Sequence, residues 1–211
     1  MPEPELSASN HLDLKKDELI NEEIGYSVVE SHLRNGEIVL MGDMHFKHKT
    51  HVLFQSYMER LIKNGVPFSL AVELPFQLTP IVPQKTPEEI IQLTADIYRR
   101  AGSGLDAGFG KDLVEILTVA KKNNIDVFCI NDGQEGPRVN NRDEWMVKQL
   151  KEAKTKGAKA ILCMVGSGHV KATAIPKYID ALAIHMGEDK PFLGKKGFEP
   201  GMFDYQIKIE G

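Results

Sequence analysis

The chain has 211 residues, 42% of them apolar and 27% charged, with a formal net charge of −4. That is enough apolar chain for one sizeable core. Dispersed Lys and Arg exclude the basic field that nucleic acid or an anionic membrane requires, and no apolar run approaches the roughly 20 residues of a membrane span.

Residues 1–20 read as a polar N-terminal arm, acid-rich and without the apolar stretch of a secretory leader. Cytosol is therefore the default location, with an excised domain or a secreted effector as the other readings. Residues 21–211 read as one domain. Strand-like runs occupy 37–42 (EIVLMG), 68–73 (FSLAVE), 125–130 (IDVFCI), 159–165 (KAILCMV), 181–186 (ALAIHM) and 203–209 (FDYQIKI). The first four are nearly continuous apolar runs, the pattern of strands covered on both faces.

Helical spacing fills the gaps. Residues 50–63 place Val52, Leu53, Tyr57, Leu61 and Ile62 on one side, with Gly65 as a stop. Thr86-Pro87-Glu88-Glu89 supplies a cap, a first-turn proline and first-turn acids for a helix to residue 100. Residues 111–123 and 141–156 carry two further amphipathic patterns. Strand alternating with helix predicts an α/β layered fold, with a mostly parallel central sheet flanked by helices and a cleft at the carboxyl ends of the strands. Glycine-rich loops at 101–110 and 131–141 are candidates for the rim of that cleft. Cys129 and Cys163, the two cysteines, lie in strand-like runs and read as buried thiols, with no CxxC spacing for a zinc site.

In a parallel α/β sheet ligands bind beyond the carboxyl ends of the strands. There the sequence places Asp43 and His45, then Glu73, then Asn131 and Asp132, then Gly166-Ser167-Gly168-His169. Asp43 and His45 are two apart and project the same way in an extended segment. Gly42 permits a sharp turn or close approach of a ligand to the backbone. Two histidines and two carboxylates suit a divalent metal that activates water, or metal-free general acid–base catalysis. Asp132, within Asn-Asp-Gly, also has the chemistry of a plain turn. His48 and His51 fall at a loop or helix start, where His51 can support the site from behind; His11, His32 and His185 read as structural. Arg142 opens a helix where a cation opposes the macrodipole, so it is a candidate for an anionic substrate group or the site carboxylates; Asp143 fits a first-turn acid.

These stretches resemble the Tiki superfamily, which embraces ChaN-like haem-binding uptake proteins, erythromycin-esterase-like hydrolases, the TraB and Tiki proteins and domains of some large bacterial toxins. "GDMHFKHKTH" resembles the family's opening motif and "LAVELP" its second, a glutamate at a strand end. "NRDEWMVKQLKEAKTKGAKAILCMVGSGHVKATAIPKYI" is most similar to ChaN, where an Arg-Asp pair opens a helix and a strand runs into G-x-G-H-V. The resemblance spans roughly residues 36–182. It implies that Asp43, His45, Glu73 and His169 form the site and that Arg142 matches the family arginine. Position 43 is Asp where many members have Glu.

The expected function is hydrolysis of a peptide, ester or amide bond in a small-molecule or protein substrate. Asp43, His45, Glu73 and His169 would be catalytic, or would ligate manganese, cobalt or zinc where metal is used, and Arg142 and Asp132 would meet the substrate. The alternatives are a haem or iron-complex binding protein, with Tyr57, Tyr98 and Tyr205 as available ligands, and a non-catalytic interaction domain. Nothing in the sequence bears on oligomeric state.

Overall fold

A computed structural model describes residues 17–43, 47–100, 107–132, 142–187 and 202–209. In chain order these form β1 (Glu18–Ile20), α1 (Glu22–Arg34), β2 (Ile38–Asp43), α2 (His48–Lys63), β3 (Ser69–Pro75), α3 (Pro87–Arg100), α4 (Ala107–Lys122), β4 (Val127–Asn131), α5 (Arg142–Thr155), β5 (Ile161–Gly166), β6 (Leu182–Gly187) and β7 (Tyr205–Lys208). The strands make one sheet in the order β1-β7-β6-β2-β5-β3-β4, and every pairing is parallel. This is the expected α/β layered fold.

The central strands β2, β3 and β5 alternate between two cores. Val39, Met41, Leu70, Val72, Leu162 and Met164 face α1, α2, α3 and α4. Leu40, Ala71, Cys163 and Val165 face α5 and the turn at Ile175–Lys177. Both faces are buried, hence the continuous apolar runs.

Every strand and helix expected from sequence forms, with shifted ends. The largest shift is at α4. Its first turn includes Gly108 and Gly110, which sequence placed in a loop because glycine is a poor helix former. The rest of that expected loop, 101–106, and residues 133–141 lie outside the described residues. Two elements were not expected. Residues 18–20, at the end of the presumed arm, pair in parallel with β7. The following α1 is capped by Asn21, whose side chain accepts from the Ile24 amide at 2.9 Å. Gly25 masks its pattern. A Cβ there would lie 2.6 Å from Ile207 Cδ1 and 2.7 Å from the Tyr57 hydroxyl, so only glycine lets α1 settle this closely on β7 and α2.

Candidate active site

Two polar clusters sit at the carboxyl edge of the sheet, one on each face. Strand alternation assigns them. Asp43 continues the Val39–Met41 row and faces α2 and α4, whereas Glu73 falls between Val72 and Leu74 and faces α5. The β3–β4 register also shifts between Val72 and Pro75, so Glu73 sits at an irregularity of the ladder.

On the α5 face, Glu73 is the point of convergence. Its Oε2 accepts the Gly166 amide at 2.9 Å. Its Oε1 lies 3.6 Å from His169 Nε2 and 3.8 Å from Arg142 Nη1. His169 donates from Nδ1 to Asp143 Oδ1 at 2.6 Å, which turns Nε2 toward Glu73. Burial disfavours the imidazolium, yet the Glu73 and Asp143 carboxylates outweigh it and hold the His169 pKa above the ordinary histidine value. The turn that carries His169 is pinned: Ser167 donates its amide to the Asp43 carbonyl at 2.8 Å, and the His169 amide donates to the Gly166 carbonyl at 2.9 Å. Arg142 and Asp143 come from the first turn of α5, so one helix start supplies both the cation near Glu73 and the partner of His169.

Tyr98 closes this cluster from α3. Its hydroxyl donates to the Glu73 carbonyl at 3.3 Å and accepts from Asn131 Nδ2 at 3.0 Å. Burial first, then the Glu73 charge, pushes the phenol pKa well up, so it stays a neutral donor. Asp132 belongs to the same neighbourhood: its charge acts on Tyr98, and its carbonyl accepts from Gln77 Nε2 at 3.3 Å.

On the opposite face, Asp43 Oδ2 meets His51 Nε2 at 2.6 Å, and His51 Nδ1 meets Asp112 Oδ2 at 2.6 Å. Asp112 Oδ1 continues to His48 Nδ1 at 2.8 Å. His51 and Asp43 are almost fully buried, at 2% and 1% exposure. Burial opposes charge on His51, but the two carboxylates flanking it prevail and raise its pKa.

The structure therefore brings together Glu73, His169 and Arg142, with Asp132 nearby, and turns Asp43 away to His51. His45 lies outside the described residues. Sequence missed three partners. Asp143 looked like a helix-dipole acid, although the Arg142-Asp143 pair was its signal. Asp112 carries no local signal, and Tyr98, named only as an available haem ligand, carries none for its contact with Glu73; both are set by helix packing. His32 pairs with Glu37, and His185 is buried against Phe203, its pKa pushed down to about 4 by burial and then Lys171.

Among the described residues, the donor set that sequence assembled for a metal ion does not come together. Asp43 is committed to His51 across the sheet from Glu73 and His169, and among the described residues no three His, Cys, Asp or Glu side chains group to hold one. Of the candidate haem-ligating tyrosines, Tyr57 donates its hydroxyl to the Glu22 carbonyl at the start of α1, Tyr205 lies on β7, and Tyr98 joins the Glu73 cluster. Among the described residues no helix is long and apolar enough to cross a membrane.

No family model matches the chain, and no curated protein matches it in sequence. Solved structures do match. The type III effector HopBA1 aligns with TM-score 0.65 over 97% of this chain and 100% of its own, at 14% identity. The haem-binding ChaN of Campylobacter jejuni aligns with TM-score 0.53 over 89% of this chain and 91% of its own, also at 14% identity. The C-terminal region of Pasteurella multocida toxin, described as holding a thiol-protease-like catalytic triad, aligns with TM-score 0.50 at 16% identity; 88% of this chain matches 27% of that one. At these identities the likeness is one of fold, and the fold is that of ChaN and of these effector and toxin domains.

Proposed function

We propose that the protein is a hydrolase whose acid–base centre is Glu73, His169 and Asp143. The observation that carries this reading is the approach of His169 Nε2 to Glu73 Oε1 at 3.6 Å, with the far atoms of both groups already held by Asp143 and the Gly166 amide. That gap is too long for a direct hydrogen bond and suits a water at about 2.8 Å from each.

Glu73 Oε1 takes a proton from this water as its oxygen bonds to the substrate carbonyl carbon. Arg142 stabilises the oxyanion that develops. His169, kept protonated by its two carboxylate neighbours, gives its Nε2 proton to the departing oxygen or nitrogen, and the acyl bond breaks. Asp143 holds the ring in place. Asp132 lies on the substrate side, beside Tyr98.

The test is turnover of a panel containing a chromogenic acetate ester, an anilide and a capped peptide. Glu73→Gln and His169→Ala are each expected to lower kcat/KM by about 10²–10⁴-fold while unfolding in urea stays cooperative. Wild-type turnover in both variants refutes the assignment. The likeness to ChaN favours haem binding as a second reading, and haemin titration separates the two: a saturable Soret shift at micromolar protein selects haem.

A further inference from the structure

A groove of about 430 Å³ runs along α5 beside the edge strand β4. Along α5 its lining runs from Trp145, three residues after Arg142, to Lys156 just past the helix end. The Phe76 and Trp145 rings pack edge to face at 5.1 Å at its head, three residues from Glu73 in sequence. Phe128 and Cys129 of β4 also line it.

From these features we infer that the groove is the substrate-binding subsite of the Glu73–His169 centre, and that it takes an extended polypeptide with an aromatic side chain two positions before an acidic one. This rests on the hydrolase reading. Three features select that occupant. From Trp145 to Thr155 the helix rises about 15 Å, the span of about five extended residues at about 3.3 Å each. Gln149 lines the groove with a side-chain amide, suited to peptide N–H and C=O groups.

Charge supplies the third. Two lysines and one glutamate line the groove: Glu152 pairs with Lys156 at 2.8 Å and also feels Lys148, so one positive charge is in excess, and the Lys148 ammonium lies 5.2 Å over the Trp145 ring. An acidic residue two positions from the aromatic anchor meets that cation. The backbone of β4 does not recruit the peptide by strand addition at Cys129. Thr79 Oγ1 already accepts the Cys129 amide at 2.9 Å and donates to its carbonyl at 3.3 Å.

Trp145 is the chain's one tryptophan, so its fluorescence reports occupancy directly. The probes are two capped alanine pentapeptides with phenylalanine second, one with glutamate and one with lysine fourth. The glutamate peptide is expected to give a saturable change and to bind about tenfold tighter than the lysine peptide. Lys148→Glu, an exposed substitution, is expected to invert that preference. Phe76→Leu is expected to weaken both peptides by about fivefold or more. No saturable response to either peptide up to about 10 mM, or a preference unchanged by Lys148→Glu, overturns the inference. Binding without cleavage retires the hydrolase reading and keeps the groove. Cleavage with no tryptophan response does the reverse.

Discussion

Gly42→Ala tests how tightly the end of β2 is coupled to the turn bearing His169. Gly42 lies within the strand, as in the strand-like run 37–42, paired with Val165 and His185. A Cβ there would stand 2.4 Å from Val170 Cγ2 and 3.1 Å from both Val170 Cγ1 and the Ser167 Cα. Carbon atoms pack at about 3.5–4.0 Å, so the first contact is more than 1 Å too short. Val170 is fully buried and stiff at χ1, and Ser167 Cα is backbone, so neither yields by a rotamer change. Overpacking of this kind costs about 1–3 kcal/mol, a fall in Tm of about 2–12 °C for a chain of this size. Urea unfolding followed by Trp145 fluorescence gives the energy, and the His169 Cε1–H resonance shows whether the turn has moved. Val170→Ala removes both clashing methyls, so the double variant should recover at least about 1 kcal/mol relative to the sum of the single changes. A Gly42→Ala protein as stable as wild type, or strict additivity with Val170→Ala, refutes the packing argument.

His51→Leu leaves Asp43 and Asp112 buried without their shared cation and should cost about 3–5 kcal/mol by urea unfolding. Because the folded-state pKa of His51 is raised, its stabilisation is complete below the ordinary histidine value and fades as pH rises through the folded value; a pH-independent gap between wild type and variant contradicts this. Asp143→Asn removes one of the carboxylates that raise His169, so an NMR titration should show the His169 pKa falling, and the loss of turnover at high pH should begin at a lower pH. Thr79→Val strands the Cys129 amide and carbonyl at the sheet edge and should cost about 1–3 kcal/mol; light scattering should show greater self-association through the exposed edge, and an unchanged midpoint would show that water replaces the hydroxyl.

The central strands and the order of strand and helix were legible in the sequence because burial on both faces writes itself as uninterrupted apolar runs, as in Ile38–Met41 and Ile161–Val165. The placement of Glu73 and His169 at strand ends was legible for the same reason. Residues 18–34 were not: β1 is short, and Gly25 breaks a helical pattern for a packing need imposed by β7 and Tyr57.

By itself the sequence determined which strands end in polar groups. Only the tertiary structure decided which of those groups meet, because a one-residue difference in strand parity sends a side chain to the opposite face. That parity separates Asp43 from Glu73 across the sheet and gives Asp43 to His51 and Asp112, residues whose convergence depends on how α2 and α4 pack. It likewise made Asp143 the partner of His169, since the start of α5 comes to rest against the turn after β5.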